Sequence, residues 1–302
     1  MQGTEVTVNL SQMMQHVYRN LGKVAAGDEF LATSGSTTAI IEDTTLATRE
    51  EPPPPDDNYG YGFTAFVVRD ALGTSVAPEN EFSKVTAYNS ATYQWTISPV
   101  VSTAIGTGDK IMLANGDIPY QTMMELANMM LKDLGRIELV DATSLTTAST
   151  TTEHDYTLPV AAKFSLRRVQ VEQQLGDSYD IVYERRITPA APGSTGLLTL
   201  PAMTSGLVIK LWYEGIHPTL TAYNSTISET IDENLAILGL QAYALQWYNR
   251  TSGGNSTYWL DEEQNVWRAF EAKKKELPVV KSSKVPRWFA ISETVVNKYE
   301  VE

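Results

Sequence analysis

The sequence predicts an α+β protein in which a helical bundle carries inserted antiparallel β domains. Four segments of the 302-residue chain repeat their apolar residues at the spacing of an α-helix. The segments between these helices alternate apolar and polar residues in short runs, and no helical crossover separates the runs, as in antiparallel sheets. We therefore expect the helices to build the common core and the strands to form insertions in it.

The first two predicted helices each end at a glycine. The first runs from about Asn9 or Ser11 to Leu21 and stops at Gly22. The second begins at Pro119, a residue favoured at the first helical position, and stops at Gly135. Both helices carry methionine-rich apolar stripes, which we assign to core packing.

The third and fourth predicted helices form an antiparallel hairpin. The third runs from Ile227 to Arg250, and Thr226 and Glu229 have the spacing of a capping box at its start. A glycine-containing turn follows, and Pro278 ends the fourth helix. We expect the hairpin to pack on the second helix and to bury four large side chains: Leu238, Leu245, Trp267 and Phe270.

Short antiparallel strands are predicted on both sides of the second helix. The first set comprises residues 63–68, 82–88, 93–97 and 110–113, and the second comprises residues 156–159, 166–171, 179–187, 197–200 and 207–213. The chain then divides into an N-terminal helix (1–24), a small antiparallel β module (25–116), a core helix (117–137), a β meander domain (138–225), a helical hairpin (226–277) and an extended C-terminal docking tail (278–302).

The composition argues against most kinds of catalytic site. The chain has no cysteine, which excludes disulfides, thiolate zinc sites and cysteine nucleophiles. The three histidines, His16, His154 and His217, are too scattered to suggest a metal site. Residues 106–110 (GTGDK) lack the spacing of a phosphate-binding loop and predict a turn. We expect no enzymatic activity and no cofactor.

The ends and the hydropathy of the chain predict a protein without membrane contact. No stretch approaches the roughly 18 to 20 apolar residues of a membrane span, and the first residues, Met1 to Glu5, lack the pattern of a signal peptide. We therefore expect a soluble protein made in a cytoplasm.

The charge of the chain is strongly uneven. The formal net charge is −13, and residues 267–302 carry eight basic and five acidic side chains, which leaves −16 on residues 1–266. An acidic body argues against tight binding of nucleic acid. The basic tail contains aromatic and cationic side chains of the kind that dominate interface energies, and we predict that it docks on another chain through Lys281, Lys284, Arg287, Trp288 and Phe289.

The order of these pieces resembles the neck proteins of tailed bacteriophages, in particular the head–tail adaptor (connector) class. The similarity rests on the helix from Pro119 that ends in Leu134-Gly135-Arg136-Ile137, on His154-Asp155-Tyr156-Thr157-Leu158-Pro159, on Ile209-Lys210-Leu211-Trp212-Tyr213-Glu214-Gly215, and on the hairpin that follows. The stretch from Gly35 through Lys84 to Ile111 is similar to small β modules of phage virion proteins.

The resemblance implies a non-enzymatic virion protein assembled in the cytoplasm of a bacterial host. Its copies would form a homo-oligomeric ring, a dodecamer if it matches the portal, which bridges the portal protein and the tail or neck proteins. The acidic body would line a channel that the genome passes without specific binding. Two alternatives remain open: another virion component, such as a head decoration, fibre-base or tail protein, and an enzyme with two converging carboxylates.

Overall fold

The computed structural model describes residues 8–25, 27–48, 57–73, 76–142, 144–148, 152–159, 162, 165–174, 178–188, 196–251 and 257–277. The chain divides into two compact units. Unit 1 comprises Met1–Asp133, Pro218–Ile227 and Ile231–Glu276, and unit 2 comprises Leu134–His217, Ser228–Thr230 and Leu277–Glu302.

Unit 1 contains a six-stranded sheet and four α-helices. Its elements are α1 (Leu10–Asn20), β1 (Glu29–Leu31), β2 (Ile40–Glu42), a 3₁₀ helix (Thr44–Thr48), β3 (Thr64–Arg69), β4 (Phe82–Asn89), β5 (Gln94–Ser98), β6 (Lys110–Ala114), α2 (Tyr120–Asp133), α3 (Glu233–Thr251) and α4 (Thr257–Lys274). The sheet is antiparallel throughout, with strand order β1-β6-β3-β4-β5-β2.

The sheet curls into a half-barrel. The backbone N–H of Thr33, just after β1, donates to the carbonyl of Glu42 at the end of β2 at 2.8 Å, so the two edge strands approach each other. The concave side is filled by buried aromatic and aliphatic side chains, and the rings of Phe30 and Trp95 stack there with centroids 5.1 Å apart. Strongly curled sheets of this kind leave little open edge for accidental pairing.

Helix α1 covers the convex side of the sheet. Asn9 caps this helix, because its Oδ1 accepts from the N–H of Gln12 at 2.8 Å and the Gln12 side chain accepts from the N–H of Asn9. On the sheet, the Phe66 ring lies 5.7 Å from the Tyr18 ring of α1. Strands β3 and β6 are therefore buried on both faces, and burial strongly raises the pKa of Tyr18.

Helix α3 lies at the centre of the helices of unit 1. It contacts α1, α2 and α4, and Gly239 in its middle allows a close approach on two sides. A Cβ at this position would lie 2.7 Å from Met130 of α2 and 2.7 Å from Phe270 of α4. Helices α3 and α4 run antiparallel, since Tyr248 near the end of α3 lies beside Trp259 near the start of α4, and Tyr243, earlier in α3, lies beside Trp267, later in α4.

Unit 2 contains two antiparallel sheets. Its strands are β7 (Ile137–Asp141), β8 (His154–Thr157), β9 (Leu166–Glu172), β10 (Tyr179–Ile181), β11 (Arg186–Thr188), β12 (Leu197–Leu200) and β13 (Ile209–Gly215). The four-stranded sheet has the order β10-β9-β13-β7, and the three-stranded sheet has the order β11-β12-β8. Strand β13 alternates strictly, with Ile209, Leu211 and Tyr213 buried on one face of its sheet.

The predicted fold class is wrong. The described residues contain thirteen strands in three sheets and only four α-helices, so the protein is mostly β and is not a helical bundle with inserted domains. Helix α1 packs on strand β3 of the curled sheet, so the helices share a core with a sheet. Long helical stripes dominate a sequence pattern, whereas three-residue strands such as β1 and β2 leave almost no pattern.

The predicted hairpin is confirmed in its direction and corrected in its details. Helix α3 starts at Glu233, six residues later than predicted, and Asp232 caps it by accepting from the N–H of Leu235 at 3.1 Å. Phe270 and Leu245 are buried as predicted, whereas Leu238 and Trp267 are only half-buried.

Most of the strand predictions are confirmed, one is corrected, and three strands were not predicted. Most of the predicted runs are strands in the structure, but the run over residues 179–187 is two strands, β10 and β11, which belong to different sheets. Strands β1, β2 and β7 were not predicted.

Candidate docking surface at one end of the curled sheet

One end of the curled sheet in unit 1 gathers exposed apolar side chains. The ends of β1 and β3 and the start of β6 meet there, because Leu31 and Arg69 are both paired with Lys110. The end of β5 and the start of β4 join them, since the Ser83 hydroxyl donates to the carbonyl of Pro99 at 2.6 Å. Four large apolar residues at this end are exposed, and we name them the apolar end: Leu31 (59%), Leu72 (90%), Val76 (43%) and Val100 (59%).

The loop between β3 and β4 holds Leu72 in a fixed position. Asp70 Oδ1 accepts from the N–H of Leu72 at 2.6 Å, and Asp109 Oδ1 accepts from the N–H of Ala71 at 2.9 Å. Asp109 Oδ2 also accepts from the N–H of Gly106 at 2.7 Å, which ties the turn before β6 to the same loop. Both carboxylates are buried, with Asp70 4% and Asp109 1% exposed. The backbone is thus fixed while the leucine side chain faces solvent.

A third buried carboxylate holds the segment that carries Val100. Glu81 accepts from the N–H of Ser102 at 2.7 Å and also from the Ser102 hydroxyl. Tyr223 lies against the same carboxylate, and burial, followed by the nearby charge of Glu81, raises the pKa of its phenol. The loops on both sides of the apolar end are therefore anchored by buried carboxylates, and two of these, Asp109 and Glu81, are distant in sequence from the backbone groups that they bind.

The apolar end has an excess of negative charge. Four carboxylates surround it, those of Asp70, Glu79, Glu81 and Asp109, and none of them takes part in an ion pair within 4.0 Å among the described residues. Three cations lie in the same strands. Lys110 is paired with Glu29 at 2.7 Å, and the other two are Arg69 and Lys84, so four carboxylates against these two cations leave the local balance acidic.

Exposed apolar side chains on anchored loops are suited to binding another protein. A contiguous apolar patch costs free energy in water, at about 25 cal/mol per Å², and marks an interaction site when it is large. Anchored loops lose little conformational freedom on binding, so more of the contact energy becomes affinity. The arrangement supports docking by its geometry, without any step of bond-making chemistry.

The exposed face of the four-stranded sheet in unit 2 contains paired charges. The Arg168 guanidinium lies 3.9 Å from the centre of the Trp212 ring, and Lys210 Nζ lies 4.6 Å from the Tyr179 ring. The first contact joins the neighbouring strands β9 and β13, and the second joins β13 to β10 across β9, so both stabilise the sheet. Glu214, on the same face, is paired with two arginines.

Glu214 of β13 forms ion pairs with two arginines on this face. It accepts from Arg167, and Arg136 Nε lies 3.1 Å from its other oxygen. The hydrogen bond from Arg167 and the charge of Arg136 hold the pKa of Glu214 below its usual value, against the opposing effect of burial. This carboxylate is therefore engaged in cross-strand contacts on both sides.

Glu42 of β2 is a further buried carboxylate of unit 1, and three hydrogen-bond donors hold it in place. It accepts from Gln94 Nε2 at 2.6 Å, from the Thr33 hydroxyl at 2.8 Å and from the N–H of Gly35 at 2.9 Å. These hydrogen bonds, from Gln94 above all, lower the pKa of Glu42. Gly35 is needed here, because a Cβ would lie 1.9 Å from the Glu42 carboxylate.

The histidines occupy separate places. His16 is exposed on α1, His154 contacts the Tyr156 ring at 4.8 Å, and His217 Nε2 accepts from the N–H of Ser228 at 3.0 Å. Across the part of the chain that the structure describes, no group of three or more His, Asp or Glu side chains could hold a metal ion. The described helices include none that is long and apolar enough to cross a membrane.

The predicted docking residues lie outside the described residues. Lys281, Lys284, Arg287, Trp288 and Phe289 all belong to residues 278–302, so their docking role stays a prediction. The proline-rich stretch at residues 52–55 also lies outside them.

Sequence reasoning missed the apolar end. Its one local signal is Leu72 in Asp70-Ala71-Leu72-Gly73, where a leucine occupies a turn that normally favours polar residues. Val76 lies in the same loop, whereas Leu31 and Val100 are distant in sequence, and only the sheet topology brings them to this end.

Comparison with known proteins adds no relative. No model of a known protein family matches the chain, and no curated protein matches it.

Proposed function

We propose that the protein is a structural subunit of a tailed-bacteriophage virion, a head-to-tail adaptor whose copies form a ring between the portal and the tail. The observation that carries this proposal is the apolar end: four exposed apolar side chains, of which Leu31 ends strand β1 and the other three lie in loops that buried carboxylates hold in place. In an assembly, a neighbouring subunit covers such exposed apolar side chains and removes them from water.

The charge of the chain supports a place beside DNA without binding to it. Residues 1–266 carry a formal charge of −16, and a ring of such subunits multiplies that charge around its axis. A negative channel repels phosphate, so a genome passes along it without sticking. The order of sequence segments described above, which resembles that of head–tail adaptors, agrees with this position.

The proposal does not depend on a helical bundle. The adaptor role needs a rigid body, an interface to neighbouring copies and an extension that reaches the portal. Unit 1 supplies a rigid body through its shared sheet and helix core, the apolar end supplies an interface, and residues 278–302 are available as the extension.

Labelling of virions tests the proposal. Antibodies raised against the purified chain are applied to particles of the phage whose genome encodes it, followed by gold-conjugated secondary antibody and electron microscopy. The proposal predicts label at the junction of head and tail. Label over the head shell or along the tail fibres would identify another virion component, and particles that lack the chain would contradict any virion role.

A further inference from the structure

The chain contains one segment whose properties are complementary to those of the apolar end. Residues 281–289 read KSSKVPRWF, with three cationic side chains, no acidic side chain and two adjoining aromatic residues. The apolar end offers exposed aliphatic side chains and an excess of carboxylates. Charge and hydrophobicity thus match between two parts of the same sequence.

We propose that residues 281–289 of one copy dock on the apolar end of a second copy. This inference rests on the proposed function, because it supplies the contact between neighbouring subunits of the ring. Trp288 and Phe289 pack on Leu72 and its apolar neighbours, and the three cations face the carboxylates beneath the loops. The two surfaces differ, so the contact is head-to-tail and repeats around a closed ring.

The charge balance favours this pairing over a neutral partner segment. Four carboxylates against the two cations Arg69 and Lys84 leave the apolar end acidic, since Lys110 is paired with Glu29. The segment 281–289 brings three positive charges. Opposite potentials steer two surfaces together and fix their register, while the aromatic side chains supply most of the affinity.

The length of the chain permits the contact. The described part of the chain ends at residue 277, and Trp288 follows eleven positions later. An extended chain spans about 3.3 Å per residue, so this stretch reaches about 36 Å. That distance exceeds the diameter of a small domain, about 30 Å, and therefore suffices to reach a neighbouring subunit.

The backbone hydrogen bonds of the loops prepare the apolar end for docking. The N–H groups of Ala71 and Leu72 are already bonded to buried carboxylates, so the backbone at these two residues does not have to order when the segment arrives. Docking then costs mainly the ordering of the incoming segment. Pro286 within that segment reduces this cost, because its φ is fixed in the free chain as well.

Site-directed cross-linking of the full-length chain tests the proposal. The natural chain has no cysteine, so two introduced cysteines are the only thiols present. The double variant Leu72→Cys with Phe289→Cys is oxidised with diamide and analysed by denaturing electrophoresis without reductant. The matched control pairs Phe289→Cys with Leu260→Cys, which replaces an exposed leucine of α4.

The proposal predicts a ladder of covalent multimers for the Leu72 pair, at least tenfold more abundant than for the Leu260 pair. Peptide mapping should find the linkage between residues 72 and 289 of different chains. A cross-linked monomer would show that the segment docks on its own chain, and equal or absent ladders would show no specific contact. Each of these results overturns the proposal.

Self-association of the full-length chain gives an independent measurement. Sedimentation velocity should show that Leu72→Asp weakens association at least tenfold, whereas Leu260→Asp leaves it unchanged, and that raising the salt concentration weakens the parent. Equal effects of the two aspartate variants would contradict the proposal. If virion labelling finds the adaptor position but cross-linking fails, the proposed function stands and this inference is wrong. If cross-linked multimers form but the label lies elsewhere on the virion, the contact between copies stands and the adaptor function is wrong.

Discussion

Replacing Gly239 with alanine should destabilise unit 1 by about 2 kcal/mol, even though alanine is the better helix former. The added Cβ would lie 2.7 Å from Met130 Cγ and 2.7 Å from Phe270 Cε2. Carbon atoms pack favourably at about 3.5 Å or more, so each neighbour must retreat by about 0.8 Å. Both neighbours are fully buried, and such overpacking costs up to about 3 kcal/mol. Helix propensity returns about 1 kcal/mol.

Urea denaturation followed by far-ultraviolet circular dichroism measures this change. The matched control is Ala269→Gly on the exposed side of α4, which isolates the propensity effect and should cost about 1 kcal/mol. The penalty of Gly239→Ala should shrink in a Met130→Ala background, because one of the two close neighbours is removed. A Gly239→Ala protein that is more stable than the parent by about 1 kcal/mol would refute the packing argument.

Three further predictions concern the core, the buried carboxylates and DNA. Leu240→Asp should prevent folding, since an unpaired charge in the core costs several kcal/mol, whereas Leu238→Asp, at the half-buried position, should fold. Circular dichroism and size-exclusion chromatography distinguish a folded from an unfolded variant. Equal behaviour of the two variants would contradict the assignment of Leu240 to the core. The pKa of Glu42 is lower in the folded chain than its ordinary value of 4.5, so its contribution to stability is present above pH 4.5 and is lost as the pH falls through the lower, folded-state value. Glu42→Gln should therefore melt at a lower temperature than the parent at pH 7 and lose part of the parent's steep decline in acid, whereas unchanged melting at pH 7 would contradict the role of Glu42. Duplex DNA should bind no tighter than about 10⁻⁴ M at physiological salt, and submicromolar, salt-sensitive binding in fluorescence anisotropy would contradict a channel that repels DNA.

The sequence predicts the helices well because their signals are local. The capping residue Asn9 and the stop at Gly22 lie beside the helix that they limit, and the same is true of Pro119 at the start of α2. The start of α3 shows the limit of this reasoning. Ile227 N–H donates to the carbonyl of Val8 at 3.0 Å, so the backbone around residue 227 is used in a tertiary contact and cannot begin a helix.

The strands and the apolar end depend on partners that are far apart in the sequence. Strand β1 pairs with β6 about 80 residues later, and three residues are too few for an alternating pattern. The two strands in residues 179–187 have the sequence pattern of one run, because no local sequence feature marks the point where the chain passes from one sheet to another. The apolar end requires three segments to meet, the end of β1, the loop between β3 and β4 and the segment after β5, and a single sequence carries no signal of that meeting. These non-local pairings explain why the fold class was predicted wrongly while most elements were predicted correctly.

Electron cryomicroscopy of the phage neck is the most direct test of the central claim, that the apolar end is a contact surface within a virion assembly. The reconstruction should show copies of the chain in a closed ring between portal and tail, with Leu72 covered by density from a neighbouring chain. A neck without this chain, or a ring in which Leu72 stays in solvent, would contradict the account.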